Sequence, residues 1–170
     1  MDLLTDLPPS DNRYDTMLVV LDHGLTKGII LIPTTKGSSS TTIAELLRDR
    51  VFNRFGIAEK LISDRDPRFA SHVFQEWTKL LGIKSALSTA YHPQTDGATE
   101  RVMQEIEAYL SIYCILNPSD WPDAIGTLEF VHNSRPHAGQ KHTPFELMMG
   151  YQPPGFPEQL RPSNFPDLQE

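Results

Sequence analysis

Cysteine is almost missing: Cys114 is the only one in 170 residues. One thiol excludes an internal disulfide and fits a reducing compartment. Inside an apolar stretch it reads as a small core hydrophobe. Long apolar runs are missing too, so no segment is suited to cross a membrane as a helix. The opening "MDLLTDLPPS" has no basic leader and no cleavage-type region, and does not read as a signal peptide. Basic charge is scarce, with 15 Lys and Arg against 22 Asp and Glu and a net charge of −7. Taken alone, that disfavours a nucleic-acid partner.

The distribution softens this. Residues 1–101 hold 12 basic against 13 acidic side chains, whereas residues 102–170 hold 3 against 9. Arg54, Lys60, Arg65, Arg68, Lys79, Lys84 and Arg101 gather in the middle of the chain, and DNA affinity depends on local phosphate contacts. The 39% apolar and 22% charged shares are those of an ordinary globular domain.

"DTMLVVLD" (15–22) and "KGIILIP" (27–33) are β-rich runs joined by "HGLT", a hairpin signal. "MDLLT" reads as the end of a further strand. The hydroxyls of "TKGSSSTT" can cap a helix from about Ile43 to Phe55, with Gly56 as its C-cap. "EKLISD" is a strand ending at Asp64. An amphipathic helix follows, with Phe74, Trp77, Leu80 and Leu81 on one side, and then the strand "IKSALS". From Ala98 a long helix carries Val102, Ile106, Tyr109, Tyr113 and Leu116 on one face. Helices from Ala124 to Asn133 and over "TPFELMMG" complete the order. The pattern predicts an α/β mixed sheet with helices on both faces. Residues 1–153 form one domain, and 154–170 a Pro-rich tail, docked on the surface or disordered.

Two carboxylates stand out. Asp64 closes a strand, at the sheet edge where ligands bind in open α/β folds. Glu100 lies 36 positions later, in a first helical turn and off the apolar stripe. With a third carboxylate they would make a hard, oxygen-rich site for two Mg²⁺ or Mn²⁺ ions. Such a pair, about 4 Å apart, serves phosphodiester displacement. The third member is open on this ground: Asp2, Asp6, Asp15 and Asp22 all flank strands, and Asp22 ends "LVVLD". The spacing alone has little specificity in so acidic a chain.

The surrounding words are far more specific. "MDLLTDLPPS", "LVVLDHGLTKGIILIP", "LISDRDPRFAS", "LGIKSALSTAYHPQTDGATERV" and "PFELMMGYQP" resemble, in order, the integrase core of gypsy-type long-terminal-repeat retrotransposons, nearest to the fungal, chromovirus-like branch. The resemblance covers Met1 to about Pro153. It implies a ribonuclease H-like fold with a five-stranded mixed sheet flanked by helices. It also implies an Asp2, Asp64, Glu100 triad acting as both catalytic groups and metal ligands, and so sets Asp22 aside.

The implied reaction is metal-dependent 3′-end processing of retroelement DNA and strand transfer into target DNA, carried out in the nucleus by a dimer or higher oligomer. The loop Tyr91–Gly97 is then an active-site loop, with Gly97 as a hinge before Glu100. Tyr91, His92 and Gln94 are then its DNA contacts, and Arg65, Arg68, Lys84 and Arg101 are either phosphate contacts or solvated surface charges, the surface reading slightly ahead. His137 is structural, and the six histidines are too scattered for zinc. Two departures stand out: Met103 in place of the family's usual Asn, and Asp66 in place of a frequent Gly. A remnant that binds nucleic acid or a protein partner without catalysis, and a nuclease acting on RNA hybrids, are the competing readings. The intact triad disfavours the first of these and the "YHPQTDG" loop the second.

Overall fold

A computed structural model describes residues 1–11, 13–87, 93–137 and 139–155, with side chains in the helix that starts at Pro93 described from Thr99 onward. Strands β1 (Asp2–Leu4), β2 (Thr16–Leu21) and β3 (Ile29–Thr34) form an antiparallel sheet in that order. Strands β4 (Lys60–Ser63) and β5 (Lys84–Leu87) form a parallel pair. Among the described residues one backbone bond joins the two sheets, from the Met1 amino group to the Ile62 carbonyl at 2.8 Å, and Leu18 and Ile32 of the first share a core cluster with Leu61 of the second. With only three residues in β1, the backbone contact is a single bond rather than a ladder.

The apolar runs alternate as strands should. Met17, Val19, Leu21, Ile29 and Leu31 face one side of the sheet, where they meet α5 (Pro93–Tyr113) and α6 (Trp121–Asn133). Leu18 and Ile32 face the other, against α1 (Ser40–Leu47) and α4 (His72–Leu80). Both faces are therefore covered, as the α/β reading predicts. Ser39 caps α1 by accepting from the Thr42 amide. A π-helical stretch, Arg48–Phe52, carries the chain into the short α2 (Asn53–Phe55), and Gly56 ends it at φ 88°. A short α3 (Pro67–Ala70) follows β4, and α7 (Pro144–Met149) closes the described fold behind a Thr143/Glu146 capping box.

Two expectations shift along α5. The helix begins at Pro93 rather than Ala98, so Gly97 lies inside it. Proline suits the first helical position, where its missing N–H has no partner to lose. The buried stripe is Val102, Ile106, Leu110 and Cys114, at steps of four. Tyr109 and Tyr113 stack on its flank at 5.7 Å, and Leu116 lies exposed beyond the helix end. Cys114 is a buried member of this core, and burial pushes its thiol up.

The edge of β3 is closed by side chains. Asn133 accepts from the Ile29 amide and donates to the Ile29 carbonyl, both at 2.9 Å. One helical turn earlier, Glu129 accepts from the Leu31 amide at 2.8 Å. Two residues four apart on α6 thus satisfy the Ile29 N–H and C=O and the Leu31 N–H, part of what another strand would supply.

Candidate active site

Asp2 opens β1 and Asp64 follows β4, so the Met1–Ile62 bond that joins the sheets also brings these carboxylates within electrostatic reach of each other. Asp2 is half-buried, and its Oδ1 accepts from the Leu3 amide at 2.8 Å. Burial pushes its carboxyl up, and the Asp64 and Asp66 carboxylates add to this against the Leu3 N–H and the Met1 amino group.

Asp64 is exposed, and its Oδ1 accepts from the Asp66 amide at 3.1 Å, which turns the chain sharply after β4. Asp66 caps α3 and grips Arg68 with both oxygens, at 2.7 Å to Nε and 2.7 Å to Nη2. That guanidinium is only 14% exposed and reaches the Lys36 carbonyl at 3.4 Å, so it is committed to the turn. The Asp66–Arg68 clamp was not foreseen from the sequence. Its signal was an acid two residues before an arginine at a helix start.

Asp22 has a different use. Its Oδ1 accepts from the Gly24 amide, and its Oδ2 from the Thr26 amide and hydroxyl, each at 2.8 Å. Partial burial pushes its carboxyl up, but these donors outweigh it and hold the group below the usual carboxylate range. It is the latch of the hairpin turn.

Glu100 is exposed on the first described turn of α5. Arg65, Lys84 and Arg101 are exposed as well. Tyr91 and His92 lie outside the described residues, as does the side chain of Gln94. Met103 is half-buried and packs against the α5–α6 core.

The Asp2–Asp64 pair offers only carboxylate oxygens, the donor chemistry of a hard divalent cation. A half-buried acid crowded by like charge is a group that such a cation would relieve. Among the described residues, however, no group of three His, Cys, Asp or Glu side chains is close enough to hold an ion. Asp2 and Asp64 lie within electrostatic reach of each other, and no described cluster joins Glu100 to them.

Solved structures share this architecture. A chain of the simian T-cell lymphotropic virus intasome in complex with PP2A regulatory subunit B56 gamma matches 92% of this chain and 56% of its own length. Its TM-score is 0.69 at 21% identity. The HTLV-2 integrase catalytic core domain in complex with magnesium matches 86% of this chain and 95% of its own, with TM-score 0.62 and 20% identity. The BIV integrase catalytic core domain matches 88% and 93%, with TM-score 0.61 and 19% identity. The fold is thus that of an integrase catalytic core, a ribonuclease H-like α/β architecture.

Sequence narrows the class. The Transposon Tf2-3 and Tf2-4 polyproteins of Schizosaccharomyces pombe (strain 972 / ATCC 24843) are each 34% identical over 160 residues, 94% of this chain. Along 94% of its length the chain is thus related to the polyproteins of gypsy-type retrotransposons. It spans 12% of the length of those polyproteins. No family model matches the chain. No described helix is long and apolar enough to cross a membrane.

Proposed function

We propose that this chain is the catalytic core of a retrotransposon integrase, processing the 3′ ends of element DNA and joining them to target DNA. The observation that carries the reading is the relation of 94% of the chain to retrotransposon polyproteins, and Asp2 and Asp64, flanking the Met1–Ile62 bond between the sheets, support it. Asp2, Asp64 and Glu100 would hold two Mg²⁺ or Mn²⁺ ions. Bound there, the ions would activate the attacking oxygen and stabilise the leaving one.

The chain's own residues bind and orient. The Asp64–Arg68 turn fixes one carboxylate through the Asp66 amide. Exposed Arg65, Lys84 and Arg101 meet phosphates, with Tyr91, His92 and Gln94 on the DNA end. Arg68 serves the turn in preference to the DNA, because its charge is already paired. The two sheets act as one five-stranded sheet in the order β3-β2-β1-β4-β5, a reading supported by the Met1–Ile62 bond. Action in the nucleus by a dimer or higher oligomer follows from the need to join two DNA ends.

A Mn²⁺-dependent disintegration assay on branched DNA tests this. Product from the parent and none from Asp64→Asn is the expected result. No product from a folded parent would favour a non-catalytic remnant.

A further inference from the structure

The β2–β3 turn touches more of the molecule than a hairpin tip needs to. The His23 imidazole Nε2 pairs with the Thr99 hydroxyl at 3.1 Å, one residue before Glu100. Four positions on, the Lys27 carbonyl accepts from His132 Nε2 at 3.1 Å. The other nitrogen of that ring, Nδ1, faces Glu105 Oε2 at 3.3 Å, and Arg135 pairs with the same carboxylate. The His137 ring stacks on His132 at 3.9 Å and holds its carbonyl at 2.9 Å. Helix α5 is therefore attached to this turn at Thr99. Burial lowers the His132 pKa, and a neutral ring that gives its one N–H to the Lys27 carbonyl has none left for Glu105.

The turn itself is stiff. Asp22 latches it from within, Lys27 Nζ reaches back to the His23 carbonyl, and Lys27 sits in the left-handed region at φ 61°. Gly28 fits closely: a Cβ there would stand 3.2 Å from Asn133 Oδ1 and 3.3 Å from Met148 Cε. The His23 ring also lies within electrostatic reach of the Met1 nitrogen, the neighbour of Asp2. The turn thus sits between the strand that carries Asp2 and the helix that carries Glu100.

We propose that the β2–β3 turn sets the position of Glu100, with His23 as a positioning residue acting through Thr99. This rests on Glu100 being the third carboxylate of the site. His23 touches no reacting atom; it holds the helical turn from which Glu100 projects.

The test uses the full chain with Mn²⁺ and two readouts. In disintegration, His23→Ala lowers kcat about ten- to a hundredfold, as a misplaced reacting group does, while KM for the branched DNA and Tm stay near the parent values. His23→Gln, which can still bond the Thr99 hydroxyl, recovers most of the loss. In hydrogen exchange without DNA, the amides of Arg101 to Glu105 exchange about tenfold faster in His23→Ala, as a local opening does. Those of Leu110 to Tyr113 keep the parent rates. Unchanged exchange at Arg101–Glu105 overturns the proposal, and so does a kcat loss that tracks Tm and is not recovered by His23→Gln. A parent that makes no product defeats the enzymatic reading instead, and exchange alone then decides whether His23 fastens α5.

Discussion

Removing the amide of Asn133 isolates the cost of an uncovered sheet edge. The side chain is 3% exposed and makes both bonds to Ile29. Asn133→Ala leaves a buried N–H and a buried C=O without partners, at about 1–3 kcal/mol each. Water entering the space left by the side chain recovers part of this, so a loss of about 3 kcal/mol is expected. Against a total stability of about 5–15 kcal/mol this is large, and at about 2–4 °C per kcal/mol it lowers Tm by roughly 6–12 °C. Asn133→Asp separates geometry from volume. It keeps the acceptor for the Ile29 N–H but sets an anionic oxygen against the Ile29 carbonyl. That carboxyl must carry a proton to fit, so its folded-state pKa lies above its unfolded one. Stability is then lost as pH rises through this range and recovered on acidification. Urea midpoints at acid and neutral pH measure both effects. An Asn133→Ala variant within about 0.5 kcal/mol of the parent, the scatter of ordinary surface substitutions, would refute the edge-capping argument. So would an Asn133→Asp variant as stable as the parent at pH 7.

Glu129 is pushed up by burial, against the pull of the Leu31 N–H, Arg54 and Arg50. The folded chain therefore keeps this proton to higher pH than the unfolded one, and stability from the group falls as pH rises above the ordinary glutamate range. Glu129→Gln, which still accepts from Leu31, should flatten that slope in urea melts between about pH 4 and 7. Trp121 is 1% exposed and its Nε1 donates to the Pro8 carbonyl at 2.8 Å. Trp121→Phe should cost about 1–2 kcal/mol from the lost bond and volume, read by chemical denaturation. Met103→Asn restores the residue usual in the family but sets an amide against the α5–α6 core, so a loss of about 1 kcal/mol is expected. A disintegration assay should show no gain in activity from it; a gain would mean that this side chain turns toward the site.

What could be read in the sequence follows from how local each signal is. Alternation in Met17–Leu21 and Ile29–Ile32 marks two strands whatever they pair with, and the spacing of Val102 and Ile106 marks a helix face. Asp64 could be placed at a strand end because the turn chemistry of "SDRDP" lies beside it. The roles of Glu129 and Asn133 were missed because they depend on a strand about a hundred positions earlier. Only the oddity of an acid and an amide, four apart beside buried Leu128 and His132, hinted at them. His23 was passed over as a scattered histidine, since its partner Thr99 lies 76 residues away. The choice of Asp2 over Asp22 needed the family resemblance. Asp22, for its part, accepts three hydrogen bonds from its own turn.

The single bond between Met1 and Ile62 bears on the order in which the molecule comes together. β1, β2 and β3 pair with sequence neighbours, but β1 reaches β4 across 61 positions. Closing so long a loop costs entropy that short hairpins do not, and contacts of this range form slowly. Asp2 and Asp64 therefore stay apart until that late step. A chain still emerging from synthesis, or one partly unravelled, displays two separate acids. On the proposed function, competence for DNA chemistry would in this way be tied to the completion of folding.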